Sequence, residues 1–135
     1  MTIRPQWQPY VDAAAAYATT MYTVSPEAAE RQAQRMLDMS VGPMHEMLTK
    51  SAQNLVALWK HAGTHSTCTV NGAGLEELNG DKATVLVAAR VQASGPGDQA
   101  PSADKPQAYR LRLFVEKQSD GTYKIADLKY PDGGN

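Results

Sequence analysis

The chain has 135 residues, enough for one domain with one hydrophobic core, and at 42% hydrophobic and 20% charged it lies outside the disordered class. Thirteen basic and fourteen acidic residues leave a net charge of −1, with no Lys/Arg run longer than a single residue. That excludes the basic footprint of a nucleic-acid binder and a polybasic patch for anionic membranes.

No apolar run reaches the roughly 18 residues that cross a bilayer, and no charged-then-apolar leader opens the chain. The segment from Met1 to Pro9 reads as an abrupt entry into a helix, either a native terminus or a point just after an anchor. Pro9 suits a first helical turn, where its missing N–H costs nothing. Val11, Ala14, Ala15, Ala18, Met21 and Tyr22 then recur at helical spacing, a stripe of mostly small residues that lets another element approach closely.

A second helix is expected to start with Ser25 as N-cap and Pro26 in first position, with Glu27 and Glu30 near its positive end. Its stripe is Ala29, Ala33, Met36, Leu37 and Ser40. Gly42-Pro43 breaks it and starts a third, whose apolar face holds Met44, Met47, Leu48, Ser51, Leu55 and Leu58, with Trp59 at the edge. Trp59 is expected to seal one end of the core where this helix meets the sheet. Gly63 ends the helix, after Lys60 and His61 at its negative end.

From Thr64 the period changes from 3.6 to 2, with extended segments at about 65–78, 82–93, 108–118 and 122–130. Asn79-Gly80 and Asp120-Gly121 are hairpin signals because these residues tolerate positive φ. The Gly-, Pro- and Ser-rich stretch at about 94–107 reads as a mobile hairpin loop. The fold class that follows is α+β in one domain over residues 1–135, with helices about 9–62 and a curved, roughly four-stranded antiparallel sheet about 65–130. Such a sheet would curl round the helices as a cone open at one end.

Chemistry-bearing patterns are sparse. Gly72-Ala73-Gly74 lacks the third glycine of a dinucleotide fingerprint and opens no helix, so it reads as a bulge or bend. Cys68 is the one cysteine, which rules out an internal disulfide or a cysteine-based metal cage, and it reads as a small buried strand residue. His61 and His65 have zinc-ligand spacing, but Gly63 between them breaks the helical face. His65 and Ser66 are strand neighbours on opposite faces and cannot form a nucleophile–base pair. No metal or other cofactor is expected.

Among the carboxylates, Asp38 falls off its helix stripe and Asp12 sits near a helix start. Asp127 is in phase with Tyr123 and Ile125, so it points into the cone unless a bulge turns it outward, and the outward arrangement is expected. The cavity residues are then Tyr17, Met21, Leu55, Trp59, Tyr123 and Asp127. On the sheet, Leu86, Ala88 and Phe114 interrupt the polar outer face among Arg110 and Arg112, which reads either as lateral packing or as a docking surface for a partner.

An Ala-rich helix holding Tyr17, then Val24-Ser25-Pro26, the junction Met36-Leu37-Asp38-Met39-Ser40-Val41-Gly42, the strand Ala83 to Val91 and the close Gly121-Thr122-Tyr123-Lys124-Ile125-Ala126-Asp127-Leu128 form one pattern over about 10–130. This pattern resembles the Mce-associated proteins of actinobacteria, whose soluble part has the nuclear-transport-factor-2-like (NTF2-like) cone fold. Tyr123 stands where that family more often has Trp, and Met44 where an aromatic is common. The resemblance implies a non-enzymatic accessory domain of a lipid-importing envelope transporter, with that transporter's protein subunits, and lipid, as partners. It implies a place on the outer side of the cytoplasmic membrane, anchored by an N-terminal helix preceding these residues; without such an anchor a cytoplasmic place is expected. The competing readings are a small-molecule isomerase, cyclase or hydrolase built on the same cone, and a secretion- or conjugation-machine component.

Overall fold

A computed structural model describes residues 5–94 and 107–131. Helices α1 (Gln8–Tyr22), α2 (Ala29–Asp38) and α3 (Gly42–Ala62) precede strands β1 (His65–Asn79), β2 (Lys82–Ser94), β3 (Gln107–Lys117) and β4 (Tyr123–Lys129). The strands form one antiparallel meander in the order β1-β2-β3-β4. The α+β class and the three-helix, four-strand architecture are those expected from the period switch. The loop expected at about 94–107 lies, between its ends in β2 and β3, outside the described residues.

Two turns depend on left-handed glycines. The β1–β2 turn is Gly80-Asp81, with Gly80 at φ 65° and Asn79 paired to Lys82 as the last ladder rung, so it sits one residue later than the Asn-Gly signal suggests. Gly121, at φ 89°, closes the longer β3–β4 turn, where Thr122 donates both its backbone N–H and its hydroxyl to Asp120 Oδ1, at 2.9 and 2.6 Å.

The second helix starts later than expected. Ser25 Oγ accepts from the Ala28 N–H at 3.2 Å and the Pro26 carbonyl from Ala29 N–H at 3.4 Å, so 25–28 is a turn and α2 begins at Ala29. The reason is tertiary: Val24 exchanges backbone hydrogen bonds with Ser66 at 3.2 and 2.8 Å, which holds the chain extended just before the turn.

Helix α1 lies across the sheet and touches all four strands. Ala14 and Ala18 are fully buried, so their small side chains set the close approach, while Tyr10, Val11 and Tyr17 fill the remaining space. Facing them are Val85 and Val87 of β2, Leu111, Leu113 and Val115 of β3, and Ile125 of β4. Helix α3 is placed differently: it meets α2 and β4 but not α1. The α2–α3 link is stitched to β4 instead, with Ile125 N–H donating to the Met39 carbonyl at 2.8 Å and Val41 N–H to the Ile125 carbonyl at 2.9 Å. The splay between α1 and α3 opens the cone.

Candidate functional site

The splay leaves a hollow of about 860 Å³ between α1, α3 and β4. Tyr17, Met21 and Tyr22 line it from α1, Met36 from α2, and Met44, Met47, Leu48, Leu55 and Trp59 from α3, with Asp127, Leu128 and Tyr130 at the β4 side. Its size suits a ligand or a partner side-chain cluster, and four methionines give the wall deformable apolar chemistry. The third-helix face read from the sequence is thus split. Met44 and Leu48 are buried, whereas Met47 and Leu58 are 50% and 59% exposed. Trp59 is half-buried on the wall of the hollow rather than sealing the core, because α3 reaches the sheet only at β4.

The structure brings Tyr17, Met21, Leu55, Trp59 and Asp127 to this hollow and takes Tyr123 elsewhere. Tyr123 opens β4 at the far end and meets Tyr10 edge-on, ring centroids 4.8 Å apart at 76°. A bulge explains Asp127. Val115 pairs with Ile125 and Phe114 with Asp127, so Ala126 is the inserted residue and the acid leaves the face of Ile125. Leu128 then stands opposite Leu113. Asp127 is half-buried, and its Oδ1 accepts the Leu128 N–H at 2.8 Å.

Three tyrosines that the sequence did not single out together gather at one end of the hollow. Tyr22 stacks on Tyr109 (4.8 Å, 16°) and shares a 3.3 Å hydroxyl–hydroxyl hydrogen bond with Tyr130. Burial, then that hydrogen bond, pushes the Tyr22 phenol far above its ordinary value. Burial alone pushes Tyr17 up to about 12. Both therefore stay protonated at neutral pH and can donate but not act as bases. In sequence these rings are 22, 109 and 130, too far apart for any periodic signal to join.

Other candidates are dispersed. His65 pairs with Glu27 at 2.9 Å, His45 Nδ1 sits 3.1 Å from both Ser40 Oγ and the Leu37 carbonyl, and His61 is exposed in the last turn of α3. Among the described residues no group of three or more His, Cys, Asp or Glu could hold a metal. Cys68 is half-buried rather than fully so, and burial raises its thiol pKa. Gly72 and Gly74 pair with Ala88 and Leu86, and the irregularities lie beside them, at Asn71 and Glu76. On the outer face Arg112 grips Glu76 at 2.8 and 3.0 Å, and Lys129 lies 5.6 Å over the Phe114 ring. Leu86 and Phe114 are half-buried, and Ala88 and Arg110 exposed.

The architecture defines the class, an NTF2-like α+β domain. An IcmL-like type IV secretion system protein from Legionella pneumophila superposes with a TM-score of 0.64 at 12% identity, over 93% of this chain and 91% of that one. CagV of Helicobacter pylori, a VirB8 homologue of a type IV secretion system, superposes with a TM-score of 0.66 at 6% identity, over 88% and 95%. At such identities the likeness is one of fold. The family is narrower: residues 3–131 match the family described as "Uncharacterized protein Rv1363c/MT1408-like", and the chain belongs to it. A curated relative, the protein Rv1363c of Mycobacterium tuberculosis, is 26% identical over 102 residues, which is 76% of this chain. The chain spans 38% of that relative's length. Among the described residues no helix is long and apolar enough to cross a membrane.

Proposed function

We propose that this domain is a non-enzymatic accessory of a multiprotein cell-envelope machine, and that its open apolar hollow receives an apolar group of a partner subunit or lipid. One observation carries the reading: among the described residues, the one carboxylate on the wall of this hollow of about 860 Å³ is Asp127. That acid is half-buried with its Oδ1 accepting the Leu128 N–H, and among the described residues no second carboxylate or histidine lines the hollow to share acid–base work with it. The outer-face set Leu86, Ala88, Arg110, Arg112 and Phe114 serves as a second, flatter contact for protein subunits. An Mce-type lipid transporter is the machine that the sequence pattern supports, on the outer side of the cytoplasmic membrane. A secretion-type machine is the second reading, supported by the overlap with the IcmL-like and CagV domains.

The test uses a photo-crosslinking residue in place of Leu58 or Met47, in cells of the source species. Crosslinks to envelope transporter subunits or their lipid support the first reading, and crosslinks to secretion-machine subunits the second. Turnover of a small molecule that is lost in Asp127→Asn would overturn both. In a Trp7→Phe background, Trp59 emission should shift to the blue when a long-chain fatty acid fills the hollow, and the shift should vanish in Leu55→Asp.

A further inference from the structure

A second hollow, of about 410 Å³, lies between the end of α1, the 23–28 connection, α2 and the start of β1. Its wall mixes apolar surface with threonine and serine hydroxyls and two arginines, where the first is more uniformly apolar. Arg31 and Arg35, one turn apart on α2, stand on its wall with Gln32 between them and His65 across from them. The described acids that lie nearest the two arginines in sequence have other partners. Glu27 holds His65 at 2.9 Å, Glu30 holds Lys60 at 2.7 Å, and Asp38 accepts from Gln34 at 2.9 Å. Among the described residues neither guanidinium has a carboxylate partner.

Gln32 supplies an independent observation. It is 5% exposed, and its Oε1 is the one buried side-chain oxygen or nitrogen among the described residues with no hydrogen-bond partner. Its Nε2 donates to the Thr20 carbonyl at 2.6 Å, with the Met21 carbonyl at 3.5 Å, which caps the negative end of α1. Turning the amide over would set carbonyl oxygen against carbonyl oxygen, so the orientation is determined and Oε1 finds no donor among the described residues. A buried acceptor left open beside a charged hollow calls for an explanation, and a bound group that donates an O–H supplies it.

We propose that this hollow binds a phosphorylated polyol, its phosphate held by the guanidinium forks of Arg31 and Arg35 and one of its hydroxyls donating to Gln32 Oε1. Arginine forks match phosphate oxygens pairwise, and a polyol hydroxyl is the neutral donor that an amide oxygen requires. The same chemistry is offered by a free polyol phosphate and by the headgroup of a phosphoglycerol lipid.

The full chain is titrated calorimetrically with glycerol 3-phosphate, inorganic phosphate and glycerol. Glycerol 3-phosphate is expected to bind at least about tenfold tighter than inorganic phosphate, and glycerol alone not to bind at millimolar concentration. The Arg31→Gln/Arg35→Gln variant, altered at two exposed positions, should lose binding of both phosphates by more than about tenfold. Gln32→Met should abolish only the preference for the polyol; if that variant does not fold, the arginine pair still decides. Sedimentation with mixed phosphatidylcholine–phosphatidylglycerol vesicles, abolished in the arginine variant, identifies a lipid headgroup as the source; binding of the free ligand without the vesicles identifies a soluble one. Equal affinity for phosphate and glycerol 3-phosphate, binding that survives loss of both arginines, or no saturable binding of any probe overturns the proposal.

Discussion

Leu113 and Leu58 both belong to apolar patterns in the sequence, and truncating each to alanine should separate core from rim. Leu113 is fully buried in β3, paired to Val85 on one side and Leu128 on the other, beneath α1. Alanine removes three carbons, worth about 0.8 kcal/mol each in transfer free energy, or about 2.4 kcal/mol. The rigid sheet and helix cannot collapse fully onto the gap, and a residual cavity of about 50 Å³ adds about 1 kcal/mol. The expected loss is about 3.5 kcal/mol. Leu58 is 59% exposed on α3, so the same truncation leaves no void and returns little surface to water. Its cost should stay below about 1 kcal/mol. Urea unfolding followed by circular dichroism, with an unchanged m-value, measures both. If Leu58→Ala costs as much as Leu113→Ala, the end of α3 is packed and the hollow is closed. A loss under about 1 kcal/mol at Leu113 would place the core somewhere other than between α1 and the sheet.

Three further outcomes are expected. Gly121→Ala should destabilise by about 1 kcal/mol because φ is 89°, while Gly74→Ala, with open space for a Cβ and no positive φ, should be neutral or gain up to about 1 kcal/mol; equal losses in thermal melts would contradict the turn geometry. Tyr17 has a folded pKa raised to about 12 from 10.0, so the stability it contributes is full below pH 10 and is lost as pH rises toward 12. Tyr17→Phe should flatten that alkaline decline, and an unchanged slope in pH-dependent melts would show that the phenol is not buried. Glu76 has a pKa lowered below 4.5, first by its hydrogen bond from Arg112, so its stabilisation holds above that value and is lost as pH falls through the lower one. Glu76→Gln should make the acid decline shallower, and an identical acid limb would mean the pair is not formed in solution.

The candidate site was legible in part. Its helical wall followed from stripes, since Met21, Leu55 and Trp59 share faces that a 3.6 period exposes directly. Gln32 lay in plain view between Ala29 and Ala33 on the buried stripe of α2, where a polar residue at an apolar phase was the available signal. The Tyr22–Tyr109–Tyr130 cluster carried no such signal, because its members come from a helix, a strand and the residue after another strand. Asp127 was the sharpest case: phase alone put it with Ile125, and one inserted residue reversed that.

Local rules acting within a few residues were enough to determine the element order, the antiparallel meander and its glycine turns, because hydrophobic period and backbone sterics act over that range. The start of α2 escaped them: Ser25 does take the Ala28 N–H, but 25–28 closes as a turn behind Val24, whose pairing with Ser66 joins residues 42 positions apart. The splay of α3 from α1 escaped them for the same reason. An apolar stripe states that a face wants cover, not which face will cover it or how completely. Here the α2–α3 link is tied to β4 through Ile125, so α3 is held against the sheet edge, and its last turns leave Leu58 in water and the hollow open.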